Sequence, residues 1–262
     1  MKRACLQQNT NTYEKNHASS IRPLKINFVR MKTYFLLLAI FTGTLAPVRL
    51  KAQACEIYYP TKAGTVLEMK HFDAKGKETG TSKTVIVSSQ EIPGGVEVTA
   101  RNEFPPRKKG EQAYSNEYSI HCLNGQVTID MKNYLNGEMM AGFENMKVEV
   151  SGDQLDLPAN PKPGEMLKGG VLSVKILNEN GMQIMQMTTK ISNRKVEAIE
   201  QVSTPAGTFE CIKISYDSEA KIFFTVRAHG VEYYSKDVGL VKSETFDSKS
   251  RLTGYSILSK IE

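Results

Sequence analysis

From residue 64 onward, apolar and polar residues alternate with period two, the signature of strands that bury one face. In Gly64–Phe72, Val66 and Glu68 fall on one face, and Leu67, Met69 and His71 on the other. Asp73–Gly76 reads as a turn, 82–88 as the return strand, Pro93–Gly95 as a second turn and 96–101 as a third strand. Strands at 114–122 and 127–131 flank Asn124-Gly125, a strong hairpin signal. Further strands are expected at 172–177, 185–191, 196–199, 209–216, 222–227, 231–234, 240–246 and 255–261, with Thr204–Gly207 turning one hairpin. One segment departs from this period. Met139, Met140, Phe143 and Met146 recur at helical spacing behind Asn136, a good capping residue, and predict one short amphipathic helix over 136–146. The Pro-rich run 156–164 reads as a loop. Together these elements predict an all-β fold with one short helix, its antiparallel sheet coiled into a β-roll or partly open barrel.

Two nine-residue stretches echo each other. Phe72–Gly80 (FDAKGKETG) and Phe246–Gly254 (FDSKSRLTG) share Phe, Asp, Lys and a terminal Thr-Gly. Either the mature domain comprises two similar halves, or turn chemistry alone selects these residues: Asp opens a turn and a small residue eases its strained position.

Charge changes the picture once it is located. The chain carries a formal +6, but residues 1–54 hold nine of the 34 bases and one of the 28 acids, leaving 25 against 27 in 55–262. The mature region is mildly acidic and lacks the basic field of a nucleic-acid binder. Residues 31–54 read as a signal peptide. Met31-Lys32-Thr33 is a charged start, 34–41 an apolar run, and Ala52-Gln53-Ala54 a cleavage site. We therefore expect translation to start at Met31, with residues 1–30 an upstream extension, and cleavage after Ala54 to leave a single mature β domain, 55–262. The destination is periplasmic or cell-surface. Because Cys55 follows the cut, a lipoprotein acylated there is the alternative. No later run is apolar for ~20 residues, so no transmembrane span is expected in the mature chain.

Cys55, Cys122 and Cys211 leave three pairings open in an oxidising compartment. Cys55–Cys122, tying the N-terminus to a strand, is favoured. If Cys55 is acylated, Cys122 and Cys211 remain as the only pair. No nucleophile elbow, phosphate loop, dinucleotide fingerprint or zinc motif is present, and no cofactor or metal is implied. His121 and Cys122 are adjacent, but strand neighbours point to opposite faces, which argues against a catalytic dyad. His71 and Asp73 share a face, with Asp73 read as a turn cap. Asp153 and Asp156 form a weak Ca²⁺ signal. Each Tyr of the doublets Tyr58-Tyr59 and Tyr233-Tyr234 should face the opposite way from its neighbour.

Three stretches carry a family resemblance. They are Cys55–Pro60 with Gly64-Thr-Val; Thr204-Pro-Ala-Gly-Thr-Phe-Glu-Cys211 with Ile214-Ser-Tyr216; and Tyr233-Tyr-Ser-Lys-Asp-Val-Gly-Leu-Val-Lys242. They resemble the TapB-like family of exported bacterial proteins, which carries a domain of unknown function. The resemblance spans nearly all of 55–262 and implies export and an all-β domain, with no catalytic residues to transfer. The same residues also have a local reading: Pro205 presets a turn, Gly207 supplies its unusual dihedral, and Gly239 marks a bulge or the close approach of another strand.

The resulting expectation is an exported, non-catalytic binding or interaction protein. Its ligand, apolar or a peptide, would sit on the concave sheet face, with Met139, Met140, Phe143, Tyr233 and Tyr234 as candidate contacts. The partner is then an apolar ligand or an envelope protein, not nucleic acid. A structural or assembly protein of the envelope using exposed strand edges, and an unrecognised hydrolase with converging carboxylates or histidines, are the alternatives.

Overall fold

The computed structural model describes residues 57–106, 110, 112–135, 140, 143 and 146–262. The leader, Cys55, Met139 and most of the helix expected at 136–146 lie outside the described residues. Leu50–Glu262 forms one compact unit.

Fourteen strands follow in chain order: β1 Val66–Asp73, β2 Glu78–Ile92, β3 Gly95–Phe104, β4 Tyr114–Leu123, β5 Gln126–Asp130, β6 Lys147–Gly152, β7 Gln154–Leu157, β8 Met166–Leu167, β9 Gly170–Leu177, β10 Gln183–Thr204, β11 Gly207–Lys221, β12 Thr225–Ser235, β13 Gly239–Asp247 and β14 Leu252–Ile261. All but β8 lie on one antiparallel path, β6-β9-β10-β11-β12-β13-β14-β1-β2-β3-β4-β5-β7, while β8 pairs with β10. The sheet coils into a nearly closed barrel with one unsealed seam, as the period-two pattern predicts. Its two edges, β6 and β7, are consecutive in sequence and meet at Asp153. There the backbone N–H of Asp153 donates to the Val171 carbonyl (3.0 Å), its carboxylate accepts from the Val171 N–H (2.8 Å), and its carbonyl accepts from the Met131 N–H (3.1 Å). One residue thus stitches one end of the seam.

Several expected boundaries move. The runs 185–191 and 196–199 form one long strand, β10, bent by irregularities at Ser192/Lys195 and Val196/Ala198, where Asn193 adopts a positive φ of 52°. Likewise 222–227 and 231–234 merge into β12, with 222–224 as the preceding turn. The loop expected from 156 begins later, because Asp156 and Leu157 pair in β7. Bulges break the alternation without ending a strand, so pattern alone splits what hydrogen bonding joins.

The bent β10–β11 hairpin explains a second core. One face of the sheet buries Ile86, Val98, Ile120, Val127, Ile212, Ile214 and Tyr234. On its other face this hairpin packs Val202, Cys211 and Phe209 into a second cluster with Leu67, Val241 and Leu258. The hairpin thus reaches residues of β13, β14 and β1, strands with which it does not pair. Both members of each tyrosine doublet are buried: Tyr233 lies in the second cluster, and Tyr58 and Tyr59, which precede the first strand, both lie in the first cluster with Tyr234.

Both stretches of the nine-residue echo form the same kind of turn. Asp73 Oδ1 accepts from the N–H groups of Lys75 (2.8 Å) and Lys77 (3.0 Å); Asp247 Oδ1 accepts from Lys249 (2.8 Å) and Arg251 (3.0 Å). A third turn, with no matching sequence, does the same: Asn178 Oδ1 accepts from Asn180 (3.0 Å) and Met182 (2.9 Å). All three place a positive-φ residue at the fourth position, Gly76, Ser250 or Gly181. At Asn124-Gly125 both residues have positive φ, 52° and 81°, which is the type I′ geometry.

Candidate functional site

The inner face of β11 and β12 carries Ile212, Ile214 and Tyr216 opposite Tyr234, Glu232 and Gly230. Glu232 is buried at 6% exposure, an unusual place for a carboxylate. Three phenols donate to it: Tyr234 (2.9 Å) and Tyr134 (3.3 Å) to Oε2, and Tyr216 (3.2 Å) to Oε1. Gly230 makes this arrangement fit. A Cβ there would lie 2.1 Å from Tyr216 Cζ, so the Tyr216 ring lies across the bare backbone of β12 to reach Glu232.

Tyr134 arrives from the 3₁₀ turn Met131–Tyr134, which Asp130 caps through the Lys132 N–H (2.9 Å). The turn packs inside the barrel beside the seam. Met131 is fully buried, and Asn133 accepts from Asn102 Nδ2 through both its side chain (3.2 Å) and its carbonyl (3.3 Å). Asn102 belongs to a second polar chain, accepting from Thr84 Oγ1 (2.8 Å) and from Tyr118, whose hydroxyl also meets that of Tyr59. Arg194, on β10, is 3% exposed and directs Nη1 at Asp156 Oδ1 (2.9 Å) and the Lys168 carbonyl (2.8 Å).

Burial raises the Glu232 pKa above the usual carboxylate value, against the opposing pull of Tyr234, Arg194, Tyr216 and Tyr134. Burial, reinforced by the Glu232 charge, lifts Tyr134, Tyr216 and Tyr234 well above the ordinary phenol range. The cluster is thus a neutral-phenol cage around a carboxylate that resists ionisation.

Around the cage the core changes character. The cluster joining β9 and β10 to the 3₁₀ turn holds Met131, Met140 and Met187 with Leu172, Val174, Ile176 and Ile191, while Met185, Phe143, Tyr134 and Tyr216 pack against it, partly exposed. The cluster on the other side of the barrel has no methionine. Thioether chains fill irregular space and repack easily. The stretch after the 3₁₀ turn reaches this cluster through Leu135, Met140 and Phe143, with turn bonds from Phe143 N–H to the Met140 carbonyl (3.2 Å) and from Met146 N–H to that of Phe143 (3.0 Å).

The expected ligand residues are therefore divided. Met140 and Phe143 join the methionine cluster, Tyr234 lines the cage, and Met139 lies outside the described residues. Tyr233 belongs to the opposite face, where its hydroxyl donates to Glu244 (3.1 Å) and Lys213 and Lys242 lie over its ring. Strand alternation forces this, since neighbours cannot share a face. Glu232, Gly230, Tyr134, Tyr216 and Arg194 were not singled out by sequence. The available signal was a lone Glu in an inward position of Val231–Tyr234.

The remaining chemistry-bearing residues have structural partners. Cys122 points into the core at 0% exposure, whereas His121 faces outward to Glu97 (2.9 Å), so the two do not meet. His71 sits between Ser256 (2.7 Å) and Ser82 (2.9 Å). His229 meets Asp217 (2.5 Å) at the surface. Asp153 and Asp156 serve different partners, the Val171 N–H and Arg194. Cys211 is a free, buried thiol whose pKa burial raises to about 11. Gly239, at a φ of 90°, is closely approached by the Tyr59-Pro60 pair, which belongs to the segment before β1 and not to another strand.

No curated protein matches the chain. Two solved structures share its fold. One, from Bacteroides fragilis, is assigned as an exported protein with a YmcC-like fold; it is 24% identical, covers 79% of this chain and 100% of its own, and has a TM-score of 0.68. The other, from Parabacteroides distasonis, is assigned as a lipoprotein; it is 23% identical, covers 80% of this chain and 100% of its own, and has a TM-score of 0.69. A family model described as DUF3108-like matches residues 62–258, well over half of the chain and almost the whole strand path. The chain belongs to the DUF3108-like family.

Proposed function

We propose that this chain is an exported, non-catalytic binding protein that takes an apolar or amphiphilic ligand on the concave sheet face, at the methionine cluster beside the seam. The carrying observation is the segregation of Met131, Met140, Met185 and Met187 to that cluster, next to partly exposed Tyr134 and Tyr216 and above the polar floor of Glu232. A soft lining suits a chain-like apolar ligand, and a buried carboxyl among phenols suits a polar end group. The test is titration of the mature chain with cis-parinaric acid, a fluorescent fatty acid. Saturable one-to-one binding is expected, weakened at least tenfold in Met140→Asp with an unchanged circular dichroism spectrum. No saturable binding, or equal binding by a folded Met140→Asp protein, overturns the reading.

A second reading rests on β6, whose outer edge has no ladder partner in the strand path. An open edge can add a strand from a partner, which favours an assembly role. It predicts oligomers by light scattering, where the binding reading predicts a monomer.

Export and anchoring turn on Cys55. Cys211 is a free, buried thiol, so it is not the partner in a pair made by Cys122. We propose Cys55–Cys122 as the pair, which leaves no thiol at position 55 to acylate and makes the protein periplasmic or cell-surface without a lipid. Peptide mapping of the exported protein without reductant should yield a 55–122 cross-link. A diacylglyceryl mass on Cys55 is the contrary result.

A further inference from the structure

The end of the β11–β12 hairpin is out of keeping with the rest of the surface. Phe223 and Phe224 are 84% and 71% exposed, and Ile222 and Val226 are also exposed. Such side chains rarely stand free in water together unless something covers them. The neighbouring hairpin, β9–β10, ends the same way, with exposed Met182 and Ile184. The apolar run is bounded by bases: Lys221 precedes Ile222, and Arg227, paired with Glu219 (2.8 Å), follows Val226. Two adjacent hairpins therefore end in apolar tips, one of them with cationic flanks.

We propose that this end of the barrel docks on an anionic lipid bilayer. The feature is a pair of convex tips, which a fluid surface accommodates and a rigid flat protein face does not. Phenylalanines at the tip reach the acyl boundary, and Lys221 and Arg227 remain at the level of the headgroups. Ile57 accepts from the Asp237 N–H (2.9 Å), at the β12–β13 turn, the far end of β12 from the tips. Eleven residues of β12 separate the two ends, roughly 36 Å at the usual strand rise. Ile57, the first of the described residues, therefore sits at the end of β12 away from the tips. This surface is separate from the methionine cluster, and either assignment can fail without the other.

The test is flotation of the mature chain with vesicles of phosphatidylcholine alone and of phosphatidylcholine with 30% phosphatidylglycerol (about a third anionic lipid, enough for a surface potential). We expect flotation with the anionic vesicles, at least tenfold weaker with the neutral ones and lost in Phe223→Ser/Phe224→Ser. Lys221→Glu should weaken binding to anionic vesicles only. Phe223 and Phe224 are exposed turn residues and Lys221 is exposed at the end of β11, so the variants should fold, and their melting temperatures verify it. Absence of flotation by the native chain, undiminished flotation of the double variant, or a concentration-dependent dimer abolished by the double variant without lipid binding would each overturn the proposal.

Discussion

Replacing Glu232 with Ala should destabilise the protein by about 3 kcal/mol, because three phenols lose their acceptor inside the barrel and a cavity opens beneath them. Tyr134, Tyr216 and Tyr234 all donate to this carboxylate, from three separate elements. Urea denaturation of the mature chain measures the loss. Glu232→Gln should cost less, since one amide oxygen still accepts, and it isolates the protonation contribution. Burial raises the folded-state pKa of Glu232 above the ordinary glutamate value of about 4.5. A raised pKa means that the folded state holds the proton more tightly than the unfolded chain. The contribution of the protonated form is then fully present below about 4.5 and is lost as pH rises through the folded value. Between pH 4 and 8, native stability should therefore carry a falling component that Glu232→Gln lacks. Equal pH slopes for the two proteins would show that Glu232 titrates normally and that the cage does not hold it.

Gly230→Ala is the second large effect, and its sign depends on a partner. In a strand, Ala is ordinarily better than Gly by roughly 0.5–1 kcal/mol, since Gly loses more backbone freedom on folding. At position 230 the added carbon would sit 2.1 Å from Cζ and 2.4 Å from the hydroxyl of Tyr216. Tyr216 must leave, taking its hydrogen bond to Glu232 with it, and we expect a net loss of about 3 kcal/mol. In a Tyr216→Ala background the clash is absent and the same change should be neutral or mildly stabilising. A double-mutant cycle by urea denaturation measures that coupling. Additive effects would mean that Gly230 is required for its backbone, not for the room it leaves.

These two residues show where sequence pattern stops. Alternation located nearly every strand between 66 and 261, because the inner faces are filled by aliphatic side chains at 0–2% exposure, such as Ile212, Ile214 and Ile120. Strand turns were legible from the same physics: Asn124-Gly125 and Asp73–Gly76 carry residues whose side chains or φ values only such turns accept. β6 and β7 were not read, although Val148 and Val150 alternate properly, because the helical spacing ending at Met146 masked their start. The cage was illegible for a different reason. Glu232 sits next to a tyrosine doublet in sequence, but two of its three donors come from positions 134 and 216, and no local period records that meeting. Gly230 reads as an ordinary strand glycine until the ring of Tyr216 is placed over it. The split of the candidate ligand residues has the same origin. Tyr233 and Tyr234 are adjacent in the chain, and adjacency in a strand separates them to opposite faces.

Ligand-induced shifts of methionine methyl signals test the central assignment most directly. The mature chain, labelled at its methionine methyl groups, is titrated with palmitate and followed by carbon–proton correlation spectroscopy. Binding at the seam should move the signals of Met131, Met140, Met185 and Met187 and leave the exposed Met166 in place. Shifts confined to exposed methionines, or no shifts at all, would contradict it.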